Sequence, residues 1–358
     1  MKNKKVLRIF SLLLALTLIA ASFSSCSKDK KENDTTAPAT EENTQNAPQS
    51  GNINLLTGEA VSADKAGQRT VALVVENSPQ ARPQWGINTP DITLEYEVEG
   101  GITRMLWLYY GADNIPDQAG PVRSARHDVV ELALGLDAVF VHMGHSSFAK
   151  DKITEYSSVL TDIDGNYDYS CFFRDNSRNV DIEHTSCLKG SLLREKLAAN
   201  GVRMTAAEGY NNIFSFAQSE RVISDHACTK IDISYSDAYN YSFNYSDGLY
   251  YASLNGSERT DEKGEQCAYD NVIILYTDMV DMNTSSGHQD LKLENGGKGL
   301  YMNGGYYEQI SWSKASDTAP LKLEGAGGEL QLNTGRSYIG FVRSDRSTET
   351  MILSAEGN

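Results

Sequence analysis

Two short segments carry the densest polar chemistry in the chain, Glu99-Gly-Gly-Ile-Thr-Arg104 and Gly120-Pro-Val-Arg-Ser-Ala-Arg126. Arg104, Arg123 and Arg126 supply permanent positive charge, and the second segment runs directly into a helix-like stretch. A cap at Ser124 and the flanking guanidiniums would surround free backbone N–H groups, where the helix dipole favours an anion. Binding of a phosphate or carboxylate by Arg104, Arg123, Ser124 and Arg126 is the chemistry this spacing offers. The competing reading is architectural: Glu99 neutralises an arginine and the paired glycines form a turn.

A catalytic reading has three candidates, His142, His184 and Glu99. His142 closes the apolar run Ala138-Val-Phe-Val-His142, and α/β proteins often place reactive groups after such a strand. No Gly-x-Ser-x-Gly elbow, Ser-x-x-Lys, His-Glu-x-x-His, P-loop or dinucleotide fingerprint accompanies them, so no cofactor is implied. Glu97 and Glu99 would suit glycan hydrolysis only if they faced each other across a cleft; on a strand, their same-side spacing describes a solvated or salt-bridged face.

Cys171, Cys187, Cys228 and Cys267 form an even set once Cys26 is put aside. Outside the cytosol that count allows two disulfides, with neighbouring pairing closing one loop in each half of the chain, although four cysteines admit three connectivities. Four free buried thiols are the alternative. His184 precedes Cys187 by three residues and His226 precedes Cys228 by two, but no Cys-x-x-Cys unit occurs and no metal site is assigned.

The elements that must position these residues follow from periodicity. Thr70–Val75 is a β-branched apolar run, and Ile92, Leu94, Tyr96 and Val98 alternate with Thr93, Glu95, Glu97 and Glu99 as in a half-buried strand. Met105–Tyr110 and Ala138–His142 read as further strands, while Arg126–Leu136 and Leu188–Asn200 read as helices, the latter closed by Gly201. After about Asp225 the pattern changes to strands and turns. Tyr239, Tyr241, Phe243 and Tyr245 alternate with polar residues, and hairpins are expected at Asp247-Gly248 and Asn303-Gly304. Such aromatics belong on a buried sheet face, with stacking on sugar rings as the functional alternative. The fold class is therefore α+β: an α/β-type domain over 54–220 and a mostly antiparallel β domain over 221–358.

The first 26 residues give an address. A basic start (Lys2, Lys4, Lys5, Arg8), an apolar run and Phe23-Ser-Ser-Cys26 describe a lipoprotein signal peptide, 1–25, with lipid placed on Cys26. Residues 26–53 are polar and nearly devoid of apolar side chains, and read as a disordered tether. The net charge is −16, and loss of four cations with the signal peptide leaves about −20. Such a surface repels polyanions, which excludes nucleic-acid binding through a broad basic face. Membrane attachment must come from lipid on Cys26, because no later segment has the roughly 20 apolar residues of a spanning helix.

Glu76-Asn-Ser-Pro79, Ala81-Arg-Pro-Gln84, Asp91, Val98–Arg104, Gly120–Arg126 and Asp137–His142 form an ordered set that resembles the YerB-like bacterial lipoproteins. The resemblance spans about Asn54 to Val342, with a fainter echo at Asn271–Tyr276, Gly297-Lys-Gly299 and Leu332-Asn-Thr-Gly335. Phe173-Arg-Asp175, Arg178 and His184 match the pattern around the family's second histidine, where Glu183 and Thr185 replace its usual Pro and Asn. Arg336-Ser-Tyr338 stands for Lys-Thr-Trp. The resemblance implies a lipid-anchored, extracytoplasmic protein of two domains of unknown function, and it brings no established reaction. Joined to the arginine segments, it points to a non-catalytic envelope module that binds an anionic cell-wall component or an envelope protein. The alternative is a cell-envelope hydrolase or transferase acting on wall glycan or an anionic wall component, and a purely structural adaptor is the third reading.

Overall fold

Five strands from the first half of the chain begin one large sheet: β1 (Thr70–Glu76), β2 (Ile92–Glu97), β3 (Thr103–Tyr110), β4 (Val139–His142) and β5 (Thr161–Asp164). In the computed structural model, which describes residues 52–208, 210 and 214–354, their order is β5-β4-β1-β3-β2. The signal segment, Cys26 and the tether through residue 51 lie outside the described residues. The described residues all fall within one compact unit, Gln45–Asn358.

The sheet continues without interruption into the second half of the chain. Beyond β2 come the strands Ser337–Arg343, Asn271–Thr277, Gly297–Asn303, Tyr306–Lys314, Leu321–Gly325 and Gly328–Glu329, eleven in all. The joint is parallel: Leu94 lies opposite Ile339, which in turn lies opposite Ile273. β1, β4 and β5 are also parallel, and the other pairings in the sheet are antiparallel. With three α-helices among the described residues beside these strands, the fold is α+β.

Both faces of the sheet are covered. α1 (His127–Gly135) and α2 (Ser147–Glu155) lie over one face, where Val129, Val130 and Ala149 join Ala72, Val74, Leu106 and Phe140 in a core. α2 starts at Ser146, whose hydroxyl accepts the Ala149 N–H at 3.1 Å. On the other face, α3 (Gly190–Ala199) contributes Leu193 and Leu197, and a second, antiparallel sheet contributes Ile231, Ile233, Tyr241 and Phe243 against Trp107, Tyr109 and Ile274. Each large side chain buried in this way stabilises by about 1.5–3 kcal/mol. Gly340 permits the close approach of the second sheet, because a Cβ there would collide with the Tyr235 hydroxyl. Among the described residues no helix is long and apolar enough to cross a membrane.

The alternating Tyr239, Tyr241 and Phe243 are core residues, on the buried sheet face expected of them. The structure corrects two expectations. The strand Ile92–Glu97 is buried on both faces rather than one, because the second sheet covers Thr93, Glu95 and Glu97. Cys171, Cys187, Cys228 and Cys267 are free, buried thiols rather than disulfides. Around Cys187 the reason is register: it lies opposite Phe173, while Cys171 precedes the pair Phe172–Leu188. That diagonal offset corresponds to about 7–8 Å, beyond disulfide reach.

Candidate functional site

β3 places Arg104 between Glu76 of β1 and Tyr96 of β2, directly opposite both in the strand pairing. Cross-strand partners share a face, so the three side chains stand abreast at the end of the sheet near the start of α1. The backbone past them is unusual. β1 and β4 pair in parallel and then separate, and the segment 121–125 fills the gap. Glu76 donates its N–H to Pro121 O at 2.9 Å, Arg123 N–H to Val74 O at 3.0 Å, and Met143 N–H to Arg123 O at 3.1 Å. Open α/β sheets often hold ligands beyond the carboxyl ends of their strands, the end of the sheet where this segment runs.

Arg104 is 4% exposed, and its Nη1 donates to the Ser124 carbonyl at 2.6 Å. Among the described residues no carboxylate forms an ion pair with it. Burial, followed by the Arg126 charge, pushes its pKa down to about 10. Beside it the Tyr96 hydroxyl is completely buried and has no hydrogen-bond partner. Arg104, Arg126, Asp128 and Glu99 surround that hydroxyl electrostatically, and burial raises its pKa well beyond the usual tyrosine range. Glu76 Oε2 and Arg123 Nε are also buried without a hydrogen bond, although Arg123 Nε lies 3.6 Å from Glu76 Oε1. α1 begins at Arg126 with no side-chain cap. Each unsatisfied buried group costs about 1–3 kcal/mol, and an unpaired buried charge costs more. The Tyr96 hydroxyl and the uncapped start of α1 both lack a side-chain partner here.

The other arginines have partners. Arg126 binds Glu99 through two parallel contacts, Nε to Oε1 at 2.5 Å and Nη2 to Oε2 at 2.9 Å, while Gly100 takes φ 68° in the turn after Glu99. The architectural reading therefore describes this pair. Arg123 lies 3.0 Å from Glu183 and 3.6 Å from Glu76. Ser124 is not the cap: its hydroxyl donates to Met143 O at 3.0 Å, because residues 121–125 run as an extended segment that delays the helix to His127.

The three catalytic candidates are held by separate partners and are not brought together. His142 is fully buried, with Nδ1 2.7 Å from Gly144 O and Nε2 2.7 Å from Asp162. Glu99 is occupied by Arg126 and lies 3.4 Å from His288. His184 Nδ1 meets Glu76 at 2.8 Å and the Ser78 hydroxyl at 3.4 Å, and Nε2 faces Glu183 at 3.6 Å. Ser78 and Glu76 address the same nitrogen, and Glu183 faces the opposite one at 3.6 Å without the hydrogen bond that orients the histidine in a serine–histidine–acid relay.

Several residues escape a reading of sequence alone. Tyr96 has the pattern of a core aromatic, and nothing local reveals its unsatisfied hydroxyl. His127, Asp128 and Asp290 form a group, found among the described residues, whose donor atoms lie within 4.8 Å of one another. Only the adjacency of His127 and Asp128 was visible locally; Asp290 arrives from 163 residues away. On the opposite face of the sheet, Asn77 links Glu95 at 2.9 Å, Thr103 at 2.8 Å and Arg259 at 2.8 Å. Tyr338 donates to the other Glu95 oxygen at 3.0 Å. Asn77 belongs to the Glu76–Pro79 motif, which here ties the two halves of the chain.

Two family models match the chain: the N-terminal domain of the protein of unknown function DUF3048 over residues 56–203, and its C-terminal domain over residues 230–339. A Bacillus subtilis (strain 168) protein named "Putative lipoprotein YerB" is 29% identical over 298 residues, covering 80% of this chain and 85% of that protein. The crystal structure of YerB protein from Bacillus subtilis superimposes with a TM-score of 0.70 at 26% identity, covering 84% of this chain and 99% of that one. The matched segments hold both the Glu76–Arg104–Tyr96 row and the strands that complete its sheet, and the chain belongs to the DUF3048 family of YerB-like proteins.

Proposed function

We propose that the protein is a non-catalytic module of the cell envelope, held on the extracytoplasmic face of the membrane by lipid on Cys26, that binds an anionic group at Arg104. The N-terminal residues and the lipoprotein name of the Bacillus subtilis relative support the anchor. The single observation that carries the binding site is a buried guanidinium with no carboxylate partner, beside an unsatisfied tyrosine hydroxyl and an uncapped helix. Arg123 and Arg126 are neutralised by Glu183, Glu76 and Glu99 and serve to shape the site. The internal partners of His142 and His184 favour binding over catalysis.

The chemistry limits the ligand to a small anionic group, a phosphate or carboxylate, presented by a wall component or a partner protein. On a protein of charge −16 its recognition must be local, because the surrounding surface repels a polyanion. Calorimetric titration with inorganic phosphate and with a glycerol-phosphate oligomer tests the reading. Saturable binding by the wild type, weakened at least tenfold in Arg104→Met, is expected. Equal binding by both proteins, or none by the wild type, contradicts it.

A further inference from the structure

We propose that His127, Asp128 and Asp290 form a binding site for one divalent cation of the Zn²⁺ type. His127 Nε2 lies 3.3 Å from Asp128 Oδ1 and 3.2 Å from Asp290 Oδ1. Ligands held about 2.0–2.2 Å from a tetrahedral Zn²⁺ are separated by roughly 3.3 Å, so both distances already match a shared metal. Hydrogen bonding explains the cluster less well. The histidine makes one long bond, to Asp290, and its approach to Asp128 forms none.

The site is built rather than incidental. Asp128 is 2% exposed in the first turn of α1, and its Oδ1 accepts the Leu291 N–H at 2.9 Å, which fixes the strand bearing Asp290. Lys292 holds the other oxygen of Asp290 and so orients its Oδ1 toward the histidine. Such outer contacts characterise metal ligands. Asp128 and Asp290 set two carboxylates against one imidazole nitrogen, and a dication would neutralise both. His127 and Asp290 keep 12% and 22% of their side chains exposed, which gives an ion access.

None of the three ligands is Arg104, so the cation site stands or falls separately from anion binding. The test is equilibrium dialysis of the full-length chain in detergent against Zn²⁺ after chelator treatment, with metal content read by mass spectrometry. About one equivalent is expected in the wild type, with affinity at least tenfold weaker in Asp290→Asn and in His127→Gln. Replacement by Co²⁺ in the wild type alone should give the intense visible absorption of four-coordinate cobalt, a readout that survives any folding defect of the variants. No uptake by the wild type, equal affinity in folded variants, or only the weak spectrum of six-coordinate cobalt overturns the proposal.

Discussion

Arg104 differs from Arg123 and Arg126 in its charge balance. Each of those two faces a carboxylate, whereas Arg104 has a single backbone carbonyl in a buried setting. Arg104→Lys keeps the charge but loses the planar fork, so phosphate affinity in the titration should fall to a value between those of the wild type and Arg104→Met. Glu97 provides a separate pH signature. Burial raises its carboxyl to about 6, partly offset by Arg343 and Arg346, and its Oε2 is buried without a partner. Folding therefore favours the neutral acid, and the stability this gives is lost as pH rises from the ordinary carboxylate range through about 6. Glu97→Gln cannot ionise. Relative to the wild type it should gain about 1 kcal/mol between about pH 4.5 and about pH 7, after allowance for partial solvent screening. Urea unfolding at the two pH values checks this, and a pH-independent difference contradicts it. At this scale the sequence grouped Arg104 with Arg123, Ser124 and Arg126, and the fold brings Arg104 against Ser124. The sequence could not show which arginine lacks a partner, because Glu183 reaches Arg123 from 60 residues away.

Between the two sheets, the Asn77 network replaces what would otherwise be an apolar seam. Glu95 is fully buried, and burial raises its pKa while Thr103, Arg259, Tyr241 and Tyr338 oppose that shift. Asn77→Ala would leave Glu95, Arg259 and Gln84 short of partners and should cost about 2–4 kcal/mol in urea unfolding. A loss below about 0.5 kcal/mol would show that water takes over the amide's role. Strands were legible from their period, as β2 and the hairpin at Asp247-Gly248 show. Their burial was less so. The polar side of β2 resembles a solvent face until Arg259, 182 residues from Asn77, and Tyr338, 243 residues from Glu95, are folded against it. Local alternation carries no record of a partner so distant.

On the scale of the whole molecule, the sheet joins the two family segments through the strand Ser337–Arg343, and the four cysteines do not staple it. Burial raises the thiols of Cys171, Cys228 and Cys267 to about 11 and that of Cys187 to about 12. All four should resist a thiol reagent in the native state and react after denaturation, and reductant should leave the melting temperature unchanged. A reductant-dependent melting temperature would restore a disulfide. Cys26→Ala should abolish labelling by fatty acid and release the protein from membranes; continued labelling contradicts the lipid assignment.

Anion binding at Arg104 is tested most directly by the side-chain Nε–H resonance of that residue, assigned through Arg104→Lys, during titration with inorganic phosphate. Binding at this site predicts a saturable shift of the Arg104 signal larger than that of Arg126, whose guanidinium already holds Glu99. An Arg104 signal that stays fixed while phosphate binds elsewhere, or that moves only in parallel with bulk ionic strength, would contradict the site.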